Sequence, residues 1–183
     1  PNAQALQLYK QANKAAKKGD YKTASDHLEE VLNHKPELAA TKLHLGMLQY
    51  SLENYPEAIK WFEEYLEVSS DAAVKFRLVI AYRYAEEYEK ALEMLQSLPE
   101  ATKQELDYII MLGLLFLEME KPDLALEALK MGPTRKRNMD QKIALFRYLL
   151  GLSYYELNDE KRALAQFKRV YVYDKNFQDV EMY

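Results

Sequence analysis

The feature that most constrains this chain is a short phrase that returns five times along its 183 residues. Each copy has a polar turn, then an alanine, then a large apolar residue four positions later. The alanines are Ala24, Ala58, Ala91, Ala125 and Ala163. Their spacings of 34, 33, 34 and 38 residues lie in the range of stacked supersecondary units. The sequence therefore predicts five copies of one unit rather than an irregular helical bundle.

Each unit is predicted to be two helices joined by a tight turn. Small residues stand twelve positions before four of the five alanines, and Val79 takes this place in the third unit. The small residues are Ala12, Gly46, Gly113 and Gly151. We expect Gly46 and Ala58 to face each other, because only small side chains let two helices approach closely. We expect Phe62 to project into the gap between this hairpin and the next.

The two helices of a unit differ in how their apolar residues are distributed. First helices such as 77–85 and 145–155 are apolar nearly all round, which predicts burial on more than one side. Second helices such as 57–68 are amphipathic, with acidic residues and Lys60 on one face. The difference predicts two layers, with the first helices inside and the second helices outside.

These positions resemble the tetratricopeptide repeat family over about residues 5 to 175. The matching features are the Leu-Gly pairs at 45–46, 112–113 and 150–151, the tyrosines Tyr21, Tyr55 and Tyr88, the five alanines, and Pro36. The chain departs from the family in lacking an early tryptophan in its first helices, in lacking the closing proline of later repeats, and in an insertion of about four residues within 131–140. The resemblance implies an all-α, right-handed superhelical solenoid of antiparallel hairpins, with a concave groove lined by first helices.

A single domain of five repeats accounts for the whole chain. The predicted repeats are about 5–38, 39–71, 72–105, 106–138 and 144–177. Residues 178–183 are predicted to start a capping helix.

Composition and motifs argue against catalysis and bound cofactors. Cysteine is absent, which excludes disulfides and thiolate chemistry. His27 and His34 are seven residues apart, whereas a helical metal pair usually has closer spacing. The Arg135–Arg137 run follows Gly132-Pro133 and is more typical of a solvated loop than of a binding site. We therefore predict a non-enzymatic protein that binds no metal, cofactor or nucleic acid.

The predicted groove is identified by counting helical positions outward from the small residue of each first helix. One wall is basic and amide-bearing, and the other is apolar and aromatic. The residues assigned to the groove are Tyr9, Lys10, Asn13, Lys17, His44, Met47, Tyr50, Phe76, Arg77, Arg83, Tyr84, Met111, Tyr148 and Tyr155.

Two functions fit this pattern. The first is an adaptor that binds a partner peptide, with acidic groups meeting the groove cations and apolar groups meeting tyrosine and methionine. The second is a scaffold that assembles with further copies of itself, through the apolar wall or the tyrosine-rich end near Tyr171, Tyr173 and Tyr183. Chaperone-binding relatives hold a carboxylate with five residues, of which only Asn13 and Arg77 match here.

The expected compartment is the cytoplasm, and a periplasmic or membrane-tethered protein is left open. The longest uncharged run, residues 108–117, is half the length that a bilayer requires. We therefore expect no membrane insertion within this segment. Turns such as the one at 158–161 resemble those of bacterial arrays, which suggests a bacterial source.

Overall fold

The computed structural model describes residues 2–180, which form α-helices, one short 3₁₀ helix and connecting turns, with no strand among them. The all-α prediction is confirmed. The helices are α1 (Asn2–Lys17), α2 (Tyr21–His34), α3 (Ala39–Ser51), α4 (Tyr55–Leu66), α5 (Ala72–Tyr84), α6 (Tyr88–Gln96), α7 (Leu106–Glu118), α8 (Pro122–Lys130), α9 (Gln141–Glu156) and α10 (Glu160–Tyr173). The 3₁₀ helix, Thr102–Gln104, precedes α7.

The turn between the two helices of each pair has the same backbone geometry in all five places. One residue in each turn has a left-handed conformation, and it stands five positions before the anchor alanine. These residues are Gly19, Glu53, Glu86, Glu120 and Asn158. At the second turn the Glu53 N–H donates to the Tyr50 carbonyl at 3.0 Å, and the Asn54 N–H donates to the Gln49 carbonyl at 2.9 Å. This pair of bonds closes the end of the first helix as a Schellman motif.

Aspartate side chains begin four of the helices. The Asp20 carboxylate accepts from the Thr23 N–H at 3.2 Å, and Asp140 accepts from the Ile143 N–H at 2.8 Å. Asp71 and Asp159 cap α5 and α10 in the same way. Each cap satisfies an N–H that has no partner inside the helix. In α4 and α8 proline stands in the first turn, where its missing N–H removes no helical bond.

The small residue of a first helix packs under a large residue sixteen positions later on the second helix. A Cβ added at Gly46 would lie 2.6 Å from Cδ1 of Phe62, and one added at Gly113 would lie 2.6 Å from Cδ2 of Leu129. Gly151 has the same relation to Phe167. The predicted close approach therefore exists, but the side chain that fills the space at Gly46 is Phe62 of the same hairpin, four residues beyond Ala58.

The helices group into two compact units, residues 1–94 and 95–183, whose boundary falls within α6. In the first unit α1 packs on α2, α2 on α3, α3 on α4 and α4 on α5. In the second unit α7 packs on α8, α8 on α9 and α9 on α10, and the first helices α7 and α9 also contact each other. Consecutive hairpins thus share a core within each unit.

Burial in the second unit follows the expected difference between first and second helices. α9 has nine buried residues and α10 has three. The apolar residues on several sides of α9 are covered by α7, α8 and α10, as the pattern of residues 145–155 predicts.

The segment after α10 folds back on the second unit. The Tyr148 hydroxyl donates to the Asp179 carboxylate, and the Tyr148 and Phe177 rings have centroids 6.2 Å apart. Val180 is buried. Residues 178 and 179 form a turn and residue 180 has a 3₁₀ conformation, while residues 181–183, the rest of the predicted cap, lie outside the described part of the chain.

A first prediction concerns the left-handed glutamates. Glu120→Gly should raise the free energy of unfolding by about 0.5–1 kcal/mol, because glycine adopts positive φ without the steric cost that a Cβ imposes. The matched control is Glu127→Gly in the middle of α8, which should lower stability by about 1 kcal/mol. Urea denaturation followed by circular dichroism measures both, and a Glu120→Gly protein no more stable than the parent would contradict the strain argument.

A second prediction concerns the small-to-large contact. Gly46→Ala should destabilise the chain by about 1–3 kcal/mol, because Phe62 is fully buried and its ring must move. Adding Phe62→Leu should recover part of this loss, because the first hairpin has an alanine and a leucine at the equivalent two positions. These residues, Ala12 and Leu28, share a core there. A double-mutant cycle by chemical denaturation gives the coupling. Purely additive effects of the two substitutions would show that the contact between Gly46 and Phe62 does not set the distance between α3 and α4.

Candidate functional site

The first unit carries an exposed cationic surface on α1. Lys10, Asn13 and Lys17, all predicted for the groove, lie on one face of α1 together with Lys14, and Lys18 directly follows the helix. The five residues that line this lysine cleft, of about 400 Å³, are Lys10, Asn13, Lys14, Lys17 and Lys18. The predicted groove does not include Lys14 and Lys18, although Lys14 is four residues after Lys10 and Lys18 is four residues after Lys14, a spacing that indicates the same face. The cleft can attract an anionic group by charge.

Tyr9 and His44 join the first helices of neighbouring hairpins. Tyr9 Oη and His44 Nδ1 are 2.5 Å apart and share a hydrogen bond, and the ring centroids are 5.5 Å apart. Tyr9 is half-buried, and burial raises its pKa. His44 is exposed. The two predicted groove residues therefore lie together on α1 and α3.

Three tyrosines and two arginines form a second surface in the first unit, the tyrosine–arginine patch: Tyr50, Tyr55, Tyr84, Arg77 and Arg83. The Tyr55 and Tyr84 rings stack with centroids 4.7 Å apart and an interplanar angle of 12°, and the Tyr50 ring meets Tyr55 edge-on at 5.9 Å. Arg83 Cζ lies 5.0 Å from the centroid of Tyr84. The arrangement gives an ordered, partly exposed aromatic surface with positive charge beside it.

Arg77 contributes to the electrostatics of the same patch. Burial raises the pKa of Tyr50, the phenols of Tyr55 and Tyr84 raise it further, and Arg77 opposes them. Arg77 also donates from Nη1 to the Ala73 carbonyl at 3.3 Å. Tyr84 is 54% exposed, so the patch has a large aromatic face available to a partner.

Met47 and Phe76 are the remaining groove residues of this unit. Both are half-buried, on α3 and α5 respectively. The sequence pattern indicates Tyr55 only as the tyrosine that opens a second helix. Tyr55 follows Tyr50 by five residues across a tight turn, and this short separation indicates that the two rings lie close together.

In the second unit the predicted groove residues separate into buried and exposed sets. Met111 and Tyr148 are buried at 9% and 8% exposure. Tyr148 packs on Phe167 and Phe177, so it belongs to the core and to the contact with the last segment. Tyr155, near the end of α9, is 48% exposed. Met111 and Tyr148 therefore do not contribute to an accessible surface.

A separate cleft of about 570 Å³ lies in the second unit, with an apolar floor and an acidic rim. Leu114 and Leu117 from α7 form part of the floor with Leu149 and Leu152 from α9. The rest of the leucine cleft is lined by Glu118, Glu120, Pro122 and Glu156. The apolar wall predicted from the sequence is thus present in part, but its rim is acidic, which suits apolar and basic groups.

The described residues offer no metal site or membrane span. Within residues 2–180, no group of three or more His, Asp or Glu side chains is placed to hold a metal ion. His27 is half-buried and His34 is exposed. None of the helices formed by these residues combines the length and apolarity needed to cross a bilayer.

Comparisons with known proteins agree on one type of fold. A family model described as tetratricopeptide repeat matches residues 9–73 and 110–178. The crystal structure of MamA protein is 20% identical, with a TM-score of 0.78, over 96% of this chain and 94% of that one. A MamA structure from Desulfovibrio magneticus RS-1 is 18% identical, with a TM-score of 0.76, over 96% of this chain and 97% of that one. No curated protein shows significant sequence similarity to the chain.

Proposed function

Because the chain belongs to the tetratricopeptide repeat family, whose members are protein-interaction modules, we propose that it is a non-enzymatic adaptor that binds a segment of a partner protein. The segment lies on the first helices, where a peptide groove is expected for this family. In the first unit it carries acidic and apolar side chains. The observation that carries the proposal is the tyrosine–arginine patch.

The patch has the physical properties of a recognition surface. Tyr84 is stacked on Tyr55 and therefore loses little conformational freedom when a partner covers it. Tyrosine offers a large contact area and a polar hydroxyl, and Arg77 and Arg83 can form charge-assisted bonds with carboxylates. The lysine cleft on α1 adds positive charge in the same unit. An acidic segment with aromatic or aliphatic side chains matches this combination.

The leucine cleft of the second unit favours a different part of a partner. Its four leucines can take apolar side chains, and its three glutamates favour lysine or arginine at the edge. The first unit therefore favours acidic and aromatic side chains of a partner, and the second unit favours apolar and basic ones.

Self-assembly is the alternative function, and the surface of α10 favours it. Leu164, Tyr171 and Val172 are 41%, 47% and 85% exposed. Exposed apolar side chains of this kind often mark contacts with another protein. A second copy of the chain is one partner that could cover them.

The adaptor proposal predicts a charge-dependent affinity. Random peptides displayed on phage and selected on the full chain should be enriched in acidic and aromatic residues. Arg77→Glu with Arg83→Glu should weaken binding of the enriched peptide at least about tenfold, because two attractive charges become repulsive. Fluorescence anisotropy measures the affinity.

The matched control for this experiment is Lys22→Glu with Lys161→Glu, which makes the same charge change at exposed positions on second helices. Its affinity should stay close to that of the parent. Circular dichroism checks that both variants keep their helicity and melting temperature. Undiminished affinity in the Arg77/Arg83 variant would reject the proposed surface.

The scaffold alternative predicts association that depends on protein concentration. Sedimentation velocity over a concentration series should show larger species in the parent, and Leu164→Ser with Val172→Ser should reduce them, because the apolar contact area is lost. A monomer at every concentration would reject the alternative and leave the adaptor proposal unaffected.

A further inference from the structure

The second unit contains a cationic pocket that the proposed adaptor function does not use. It has a volume of about 830 Å³ and lies between the loop that precedes α9, the helix α9 and the helix α10. Six of its nine lining residues are arginine or lysine. The lining residues are Thr134, Arg135, Lys136, Arg137, Met139, Arg147, Lys168, Arg169 and Val172. The sequence places these cations in three separate segments, and only the fold brings them together.

Arg147 holds the wall of this pocket in place. It is 2% exposed, and its Nη2 donates to the carbonyls of Thr134 at 3.3 Å and Lys136 at 2.5 Å. Its Nη1 donates to Gln166 Oε1 at 2.9 Å. All three acceptors are neutral, so these bonds orient the guanidinium and the loop without cancelling the positive charge.

Four of the five other cations of the pocket also have no carboxylate nearby among the described residues. Among residues 2–180, no carboxylate lies within ion-pair distance of Arg135, Arg137, Lys168 or Arg169, and Lys136 has Asp140 at 3.4 Å. Burial lowers the pKa of Arg147, and the charge of Arg169 lowers it further. In a chain with a net charge of −4, this is a local excess of like charges, which a bound anion would relieve.

The lining residues indicate the kind of anion. Guanidinium groups match the oxygens of a phosphate in two-point geometry, and the Thr134 hydroxyl can add a hydrogen bond. None of the nine lining residues is aromatic, so the pocket offers no surface on which a nucleobase would stack. Its volume is in the range of small-ligand sites. Recognition would therefore depend on several phosphate groups rather than on a base.

We propose that this cationic pocket is a binding site for a polyphosphate anion, supplied either as a free small molecule or as clustered phosphates on a protein segment. Multiple charges are needed because four arginines and two lysines face one cleft. The site is separate from the tyrosine–arginine patch, so it adds a second ligand to the chain.

Titration calorimetry with inorganic triphosphate at constant ionic strength tests the proposal on the full chain. The parent should bind, and Arg135→Gln with Arg169→Gln should lower the affinity at least about tenfold, because two charge-assisted contacts are lost. The matched control is Lys161→Gln with Lys175→Gln, which removes the same charge at exposed positions outside the lining. The control should bind within about twofold of the parent.

A labelled peptide with two adjacent phosphoserines separates the two sources of phosphate. If it binds and triphosphate displaces it, a phosphorylated protein segment can occupy the pocket. If triphosphate binds and the peptide does not, the ligand is a free polyphosphate.

Absence of binding by both probes would overturn the proposal, and so would equal losses in the Arg135/Arg169 variant and its control. The buried Arg147 is left unchanged, so that the loop keeps its shape. If the double variant loses helicity by circular dichroism, the single variants Arg135→Gln and Arg169→Gln replace it. None of these outcomes tests the proposed peptide binding at the tyrosine–arginine patch.

Discussion

The contact on which the other features depend is the packing of a large second-helix side chain over a small first-helix residue. Phe62 over Gly46 and Leu129 over Gly113 let the two helices of a hairpin approach closely, and dispersion and burial stabilise that approach. Because the partners are sixteen residues apart, the contact also fixes the register of the turn between them. The left-handed residue and its two hydrogen bonds close the hairpin at the length that this register requires.

The same geometry explains where recognition surfaces can form. Side chains that point into a hairpin are buried in the core, so only the remaining faces of the first helices can contact a partner. In the first unit these faces carry Tyr84, Arg77 and the α1 lysines, and in the second unit they carry leucines with glutamates at the rim. A protein of this family can therefore change what its surface binds through exposed positions while the alanines and glycines keep the fold.

The helices were predictable because one sequence phrase, a polar turn followed by an alanine and a large apolar residue, returns five times, and repetition makes a weak local signal strong. The α-solenoid class inferred from the sequence is confirmed by the family match and the similar structures. The candidate surfaces were less predictable. On a helix such as α9, which is apolar nearly all round, the pattern does not distinguish a core position such as Tyr148 from an accessible one such as Tyr155. The sequence does not indicate the cationic pocket, and the Arg135–Arg137 run alone is typical of a solvated loop, because the other cations of the pocket are far away in the sequence and meet the loop only after folding.

The hydrogen bonds of Arg147 limit how independent the fifth hairpin is of the loop before it. Tetratricopeptide arrays are often regarded as modules that can be duplicated or exchanged as separate units. Here a buried guanidinium on α9 fixes the backbone of the preceding insertion through the Thr134 and Lys136 carbonyls. The insertion and the hairpin that follows it are therefore structurally coupled, and a graft that took the last hairpin without its upstream loop would carry a buried charge with two of its acceptors missing.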